Sequence, residues 1–455
     1  MGPPGTGKTT RLLELAHGLP DESYALVAFT RVAAQVARQR GLTSPYVKTL
    51  HAMAFAQLGL KRGDAMQPSH HRRIMHQLGL PMRRSQWAPP LEGDMIHNAR
   101  SYACTRRAPL QGVAKQLGVD GRLLAEYDAM IEEEKRTHAL LEFHDMLERW
   151  RASDYVPASV DTLFIDEAQD LSPVQWRTID WWLSHGYVRN VYAAGDDDQA
   201  IFGWAGADVN EYKRRIRTVG SQEVLRQSRR CPRVVHDLAM RLVNQLPDRV
   251  PKGWNPREAH GQLEWVLPDW LPTDWGSGTW LVLAPYGYLL RPLAQHLEAA
   301  GVWFQVAGSH GTSVNDALLR AAYDWETWRM TGHREPQLAR RCKRFLRAKH
   351  VDAYLYRNQQ PDVGFLDLAY GPAPDEVEYC RQVLPQYKPG ATPNITLSTV
   401  HRSKGDQADS VLLLNPQTDR ALDTPVNDLL RVLYVAVTRA RTALHVTQGG
   451  PFLTA

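Results

Sequence analysis

The feature that most constrains the fold is a glycine-rich string at the start of the chain. Residues 2–10 read Gly-Pro-Pro-Gly-Thr-Gly-Lys-Thr-Thr, which fits the pattern G-x-x-x-x-G-K-[ST]. In such a loop backbone N–H groups turn toward phosphates, the lysine reaches the β- and γ-phosphates, and the next hydroxyl can ligate Mg²⁺. A helix predicted over Thr9–His17 would direct its positive end toward the same anion. The predicted phosphate-binding residues are Gly5, Thr6, Gly7, Lys8, Thr9 and Thr10, with Thr9 also a metal ligand.

The rest of the chain alternates short apolar runs with helical patterns. The first predicted set comprises strands at 23–30, 162–165 and 190–194 and helices at 32–40 and 49–58. The second comprises strands at 280–283, 303–306, 395–399 and 410–414 and helices at 288–300 and 428–439. This alternation is typical of parallel sheets covered by helices on both faces, so we expect an α/β fold with two cores. The stretches 60–138 and 311–390 are mostly helical and read as insertions.

Composition narrows the class of protein. The chain has 455 residues, 43% hydrophobic and 23% charged, which suits a globular protein of about two to four domains. We find neither a signal peptide nor an apolar run that could span a bilayer, so we expect a cytoplasmic protein without a membrane partner. Four cysteines without C-x-x-C spacing indicate neither a disulfide framework nor a zinc site. The net charge of +5 permits a polyanionic partner.

Two acidic strings follow strands of the first core. Asp166-Glu167-Ala168-Gln169-Asp170 comes after the strand at 162–165, and carboxylates at the carboxyl end of a buried parallel strand face the crevice where ligands bind. Asp166 is placed to hold Mg²⁺, and Glu167 to orient and deprotonate an attacking water. After the strand at 190–194, Gln199 can contact the γ-phosphate or that water, and Trp204 offers a flat face to a nucleic-acid base.

Together these strings resemble motifs of the UvrD/Rep-like branch of the superfamily 1 helicases. Further segments are similar to that family's motifs in the same order: Phe29-Thr30, Thr49-Leu50-His51, 142–147, 225–230, 399–405, and Arg431 with 434–440. The resemblance covers residues 2–310 and 395–441. It implies two RecA-like domains, each with a mainly helical insertion. The implied domains are 1–59 with 139–220, the insertion 60–138, 221–310 with 391–455, and the small insertion 311–390.

The resemblance also implies roles for individual residues, with ATP and Mg²⁺ as cofactors. The implied catalytic residues are Glu167, Gln199, Arg230 and Arg439, the last as an arginine finger. Further nucleotide contacts are implied at Arg229, Lys404, Gly405 and Gln407. DNA contacts are implied at Phe29, Thr30, Thr49, His51, Phe202, Trp204, Arg291 and His401. Since arginines gain most when the γ-phosphate is present, we expect ATP to close the two cores and hydrolysis to release them.

The chain departs from the family pattern at several positions. The family carries a glutamine-containing segment and a first strand before the phosphate-binding loop, where this sequence has only Met1, so we expect further sequence upstream. Arg229 stands in place of an adenine-stacking tyrosine, and its guanidinium plane can still stack. Ala205 replaces an arginine, and Gln407 replaces a ribose-binding glutamate while it keeps a hydrogen-bond acceptor. None of these changes touches the predicted hydrolytic residues.

The function implied by the resemblance is ATP-driven 3′→5′ translocation on DNA with unwinding. Its partners would be single-stranded DNA, 3′-tailed duplexes and proteins of DNA replication or repair. A 5′→3′ superfamily 1 helicase stays open, because such enzymes share G-P-P-G-T-G-K-T, although they usually lack the string at 198–204. A nucleotide-gated module that remodels nucleic-acid complexes without unwinding also stays open, although Glu167 and Arg439 speak against it.

Overall fold

The computed structural model describes residues 1–85, 87–153, 155, 160–272, 275–276, 278–308, 313–346, 360–370, 375–415, 418, 424–449 and 453. The chain divides into two compact units. The first comprises Met1–Gln262 with Thr418–Thr438, and the second Leu263–Gln417 with Arg439–Ala455. The first unit thus includes residues 221–262 and 418–438, which were predicted in the second core. The domain limits predicted from the sequence stay a prediction.

The strands and helices follow the chain in the order predicted for an α/β protein. The strands are β1 Tyr24–Val27, β2 Val47–Lys48, β3 Thr162–Ile165, β4 Asn190–Ala193, β5 Gln262–Val266, β6 Trp280–Ala284, β7 Phe304–Val306, β8 Ile395–Thr399, β9 Ala408–Leu413 and β10 Ala440–Thr447. The helices are α1 Lys8–Ala16, α2 Arg31–Gln39, α3 Leu50–Gln57, α4 Pro68–Gln77, α5 Glu92–Arg106, α6 Leu110–Leu117, α7 Gly121–His138, α8 Phe143–Ala152, α9 Pro173–Ser184, α10 Val209–Thr218, α11 Arg233–Val243, α12 Arg291–Ala299, α13 Asp316–Thr331, α14 Leu338–Cys342, α15 Phe365–Tyr370, α16 Asp375–Val383 and α17 Val426–Val437.

The first unit is built on a four-stranded parallel sheet with the order β2-β1-β3-β4. Its two central strands read Tyr-Ala-Leu-Val and Thr-Leu-Phe-Ile and are buried at every position, as expected for parallel strands covered on both faces. Tyr24 aligns with Thr162, and Thr162 with Asn190. This register brings the carboxyl ends of β1, β3 and β4 to one edge of the sheet. The strand β4 forms the outer edge of the described sheet, and its residues are exposed.

Helices cover both faces of this sheet, and the 60–138 insertion has its own core. One face buries Leu50, Trp150 and Trp182, and the other buries Leu12 and Phe164. The insertion is helical, as predicted, and it packs α4 to α7 around a separate apolar cluster.

The second unit is built on a six-stranded sheet with the order β5-β10-β9-β6-β8-β7. The pairs β6–β8, β6–β9, β7–β8 and β9–β10 are parallel, so the predicted second α/β core is confirmed. The described helices α13 to α16 fall within 311–390, in agreement with the predicted helical insertion. Among the residues that the structure describes, no helix is both long and apolar enough to cross a membrane.

The structure corrects several predicted boundaries. The helix predicted over 288–300 begins at Arg291, because residues Gly287–Leu290 form a 3₁₀ turn that precedes Pro292. The helix predicted to reach 439 ends at Val437, and the chain then continues into β10. Three strands were not predicted: β2 has only two residues, whereas β5 and β10 interrupt their apolar positions with charged ones.

Candidate nucleotide site and nucleic-acid interface

The glycine-rich loop has the backbone shape that phosphate binding requires. Gly5 and Gly7 adopt the left-handed conformation, with φ of 74° and 90°, which only glycine adopts at little cost. A Cβ atom on Gly5 would also lie 2.5 Å from Cβ of Arg230. Lys8 begins α1 and is buried, and its ammonium donates a hydrogen bond to the carbonyl oxygen of Gly2 at 2.7 Å. The loop therefore places a helix N-terminus and a buried cation together, an arrangement that favours a bound anion.

A hydroxyl and a carboxylate meet beside this loop. The Thr9 hydroxyl donates a 2.8 Å hydrogen bond to Oδ2 of Asp166, which follows β3. Burial, followed by the neighbouring Glu167, raises the pKa of Asp166 to about 6, against the opposing effects of Thr9 and Lys8. An oxygen-only donor set in which one carboxylate gains from a nearby positive charge suits Mg²⁺. Thr9 and Asp166 are thus the residues that could hold the metal of a bound nucleotide.

Gln169 connects the two acidic strings. Its amide nitrogen donates to Oε2 of Glu167 at 2.6 Å, and its oxygen accepts from the backbone N–H of Asp196 at 3.0 Å. Gly195 makes this approach possible, because a Cβ there would lie 2.7 Å from the amide oxygen of Gln169. Gln199 in turn donates to Oδ2 of Asp196 at 2.6 Å. The predicted base Glu167 and the predicted γ-phosphate contact Gln199 therefore belong to one hydrogen-bonded network.

The segment 225–230 lies against the phosphate-binding loop. The backbone N–H of Arg229 donates to the oxygen of Gly5 at 2.8 Å, and the Ser228 hydroxyl donates to the oxygen of Pro4 at 3.0 Å. Arg230 is half-buried, and its guanidinium lies 3.4 Å from the oxygen of Thr438. The predicted residues Arg229 and Arg230 are therefore brought to the loop. Ser228 was missed, since a serine in a loop carries no sequence signal of its own.

Two more residues near the loop were missed by sequence reasoning. Lys252 and Arg249 form ion pairs with the run Asp196-Asp197-Asp198. Three consecutive carboxylates that are buried together need buried cations nearby, because an unpaired buried charge is strongly unfavourable. The sequence did not indicate which basic residues would meet that need.

The predicted DNA-contacting residues of the first unit separate into two kinds. Phe29 and Phe202 contact each other, with ring centroids 4.9 Å apart, and Trp204 is 56% exposed. Thr30 and Thr49 instead cap the N-termini of α2 and α3, where each hydroxyl accepts a backbone N–H. The threonines therefore have a local structural role whether or not DNA binds.

His51, the remaining DNA candidate of the first unit, contacts the exposed ring of Phe143 edge-on, at 5.4 Å between centroids. Burial, followed by repulsion from His144, lowers the pKa of His51 to about 4. The imidazole is therefore neutral at pH 7. Any contact that it makes with DNA is a hydrogen bond or a ring contact rather than a charge interaction.

The other predicted residues lie in the second unit. Arg439 precedes β10 and is 1% exposed, and its guanidinium lies 3.3 Å from the oxygen of Asp406. His401, Lys404, Gly405 and Gln407 lie in the turns between β8 and β9, where Gly405 has φ of 95°. Arg439 therefore lies beside the turns between β8 and β9. Arg291 is exposed at the start of α12, away from these turns in the sequence.

Two family models match the chain at segments that carry these sites. The model of the UvrD/REP helicase N-terminal domain matches residues 100–219, which include Asp166, Glu167, Gln199 and Trp204. The model of the UvrD-like helicase C-terminal domain matches residues 394–447, which include His401 and Arg439. The two matches thus fall on the two sheets described above.

Curated proteins show the same similarity. The chain is 26% identical over 286 residues to the ATP-dependent DNA helicase PcrA of Leuconostoc citreum, covering 55% of the chain and 38% of that protein. It is 30% identical over 118 residues to the RecBCD enzyme subunit RecB of Mycolicibacterium smegmatis, covering 24% and 11%. It is 29% identical over 98 residues to DNA helicase II of Haemophilus influenzae, covering 21% and 13%. The matched parts span less than two fifths of each of these relatives.

Proposed function

We propose that the chain hydrolyses ATP with Mg²⁺ and uses the energy to move 3′→5′ along single-stranded DNA and unwind duplexes. Its similarity to the UvrD/Rep-like superfamily 1 helicases supports this proposal. A role in DNA replication or repair follows from this activity. The observation that carries the proposal is the joint geometry of the first unit. There the phosphate-binding loop, the Thr9–Asp166 pair and the Glu167–Gln169–Asp196–Gln199 network meet at one end of one parallel sheet.

Each residue of this end has a role in the proposed hydrolysis. Lys8 and the N–H groups of the loop hold the triphosphate, and Thr9 and Asp166 hold Mg²⁺, which when bound neutralises charge on the phosphates. Glu167 orients the attacking water and accepts its proton. Gln169 keeps the Glu167 carboxylate in place at 2.6 Å. Arg230 lies next to Gly5 and supplies positive charge to the transferring phosphoryl group.

Gln199 serves as the γ-phosphate sensor in this proposal. Its side chain is 3% exposed and is held by Asp196. The chain then runs from Gln199 to the Phe29–Phe202 pair and the exposed Trp204 within a few residues. A change in the position of Gln199 on hydrolysis can therefore alter the aromatic surface that binds bases. We assign Arg439, Lys404, Gly405 and Gln407 to the nucleotide, and His401 and Arg291 to DNA, by family resemblance.

The test is a single set of assays on the purified protein. ATP hydrolysis is measured with Mg²⁺, with and without single-stranded DNA, and unwinding is measured on 3′-tailed, 5′-tailed and blunt duplexes. We expect DNA-stimulated hydrolysis and unwinding of the 3′-tailed duplex alone. Activity should weaken at higher salt, because the protein releases counterions when it binds DNA and added salt makes that release less favourable. The matched control is Lys8→Ala, which should abolish both activities.

The other outcomes are informative in different ways. Unwinding of the 5′-tailed duplex alone would reverse the proposed direction and leave the ATPase in place. DNA-stimulated hydrolysis without strand separation on any duplex would indicate a nucleotide-gated remodelling protein. The absence of hydrolysis under all conditions would contradict the proposed function.

A further inference from the structure

An acidic cluster with its own internal cation lies directly after β4. Asp196, Asp197 and Asp198 are each 1% exposed, and their carboxylates offer oxygen atoms that lie within 4.8 Å of one another. Carboxylates this close and this deeply buried repel one another and need positive charge nearby to stay ionised. Their spacing would allow a metal ion to bind, but a lysine side chain occupies that position.

Lys252 supplies the central positive charge. Its side chain is 1% exposed, and its ammonium lies 2.9 Å from Oδ1 of Asp196 and 2.9 Å from Oδ2 of Asp198, and it also contacts Asp197. Arg249 adds a two-pronged contact to Asp198 at 2.6 and 3.2 Å. Burial would lower the pKa of Lys252, but the three carboxylates outweigh burial and raise it. The ammonium is therefore charged at neutral pH.

The cluster is connected to the proposed catalytic residues through Asp196. One oxygen of Asp196 contacts Lys252, while the other accepts the amide N–H of Gln199 at 2.6 Å. The backbone N–H of Asp196 donates to Gln169, which holds Glu167. Lys252 is thus separated from Gln199 by one carboxylate, and from Glu167 by one residue more.

The segment that carries Lys252 is itself fixed to the segment that contacts the phosphate-binding loop. The backbone N–H of Asn255 donates to Arg226 at 2.8 Å, and that of Ser228 donates to Asn255 at 2.9 Å. Ser228 and Arg229 then contact the loop. Lys252 therefore joins two sides of the nucleotide site: the loop through its own segment, and the Gln199 turn through Asp196.

We propose that Lys252 is a positioning residue which fixes the 196–199 turn, and through it the Gln199 side chain, against the nucleotide site. This inference rests on the proposed function for its catalytic consequence. Lys252 itself touches no substrate in this proposal. Its effect is on the turnover number of ATP hydrolysis rather than on ATP affinity, which depends on the phosphate-binding loop.

The test must separate positioning from simple charge neutralisation. Lys252→Met alone leaves three buried carboxylates with one cation and risks unfolding. The variant Asp197→Asn/Lys252→Met removes one positive and one negative charge, so the net charge of the cluster is unchanged. The N–H of Val250 donates to Oδ2 of Asp197 at 2.8 Å in the native protein, and the amide oxygen introduced by Asp197→Asn can still accept it. Thermal unfolding of this variant is measured first, to check that it is folded.

The matched control is a second buried lysine of the same unit. Lys213 has a side chain that is 4% exposed and an ion pair with Asp248 at 3.0 Å, and neither residue belongs to the cluster. The control variant Lys213→Met/Asp248→Asn likewise removes one charge of each sign. We expect the kcat of DNA-stimulated hydrolysis to fall about tenfold or more in the Asp197/Lys252 variant, with KM for ATP nearly unchanged, and to stay at the wild-type value in the control.

Two further measurements decide whether Lys252 acts through the turn. Adding Gln199→Ala to the Asp197/Lys252 variant should lower kcat little further, because two changes in one network are not additive. Amide hydrogen exchange of peptides that cover 195–200 should be faster in the variant than in the wild type and the control. Hydrogen exchange can be measured on a protein without ATPase activity. If the wild type were inactive, the proposed function would be contradicted, and the exchange measurement would still test the role of Lys252. A folded variant with wild-type kcat and wild-type exchange would overturn the inference.

Discussion

Replacement of Glu167 by Gln is the sharpest test of the proposed hydrolytic site. Glutamine keeps an oxygen that can accept the 2.6 Å hydrogen bond from Gln169, so the side chain should stay in place while the proton-accepting carboxylate is lost. General-base catalysis contributes roughly 10²–10⁴ in rate, or about 3–5 kcal/mol of barrier. We therefore expect kcat to fall by at least about 100-fold.

Nucleotide binding should respond differently to the same change. The Glu167 carboxylate is one cause of the raised pKa of Asp166, so its neutralisation should leave Asp166 more fully ionised at pH 7. Affinity for Mg²⁺-ATP, measured with a fluorescent analogue, should therefore be unchanged or tighter. The control Glu14→Gln alters an exposed carboxylate on α1 and should have no effect. A wild-type kcat in Glu167→Gln would refute the assignment of the base, and a loss of nucleotide affinity would indicate a structural role instead.

Three further outcomes are expected. Trp204→Ala removes a 56% exposed ring, so single-stranded DNA should bind more weakly by about 1–3 kcal/mol in a fluorescence titration, while the melting temperature of the protein stays unchanged. An altered melting temperature with unchanged DNA affinity would indicate a packing role. Gly206→Ala should lower the free energy of unfolding by about 2–5 kcal/mol in urea titrations, because Gly206 has φ of 96° and its new Cβ would lie 2.0 Å from Oγ1 of Thr105. Adding Thr105→Ala should recover part of this loss, and a fully stable Gly206→Ala protein would contradict the close contact. Burial, followed by repulsion from His97, lowers the pKa of His71 to about 4. The stability that the neutral imidazole contributes is therefore present above pH 6.5 and is lost as pH falls toward 4, by up to about 1.4 kcal/mol per pH unit. His71→Gln should flatten that slope in urea titrations at pH 5–7, and an unchanged slope would contradict the lowered pKa.

The sequence by itself determined the α/β class and predicted where a nucleotide site would lie. The apolar run at 162–165 is the strand β3 as predicted, since a parallel strand buried on both faces must be apolar along its whole length. The conformation of the glycine-rich string at residues 2–10 depends on local geometry, so its loop and the helix that follows could be predicted from residue types alone. Asp166 and Glu167 then followed, because the carboxyl end of β3 fixes where they lie.

Contacts between distant parts of the chain required the tertiary structure. Gln169 could be read as part of an acidic string, but its link from Glu167 to Asp196 depends on how β3 and β4 pair. Ser228 is a loop residue without a pattern, yet it holds the phosphate-binding loop. The strands β5 and β10 also escaped prediction, because a sheet edge or a neighbouring strand, rather than local periodicity, stabilises them.

Lys252 shows the physical reason for this division. Three adjacent aspartates require positive charge when they are buried together, and the sequence shows such a run at 196–198. The sequence does not show which of the 54 lysines and arginines supplies that charge, since an ion pair depends on distance in space and Lys252 lies 55 residues along the chain from Asp197. Periodicity and local geometry set the elements, whereas the folding of those elements against one another selected the cation that holds the Gln199 turn.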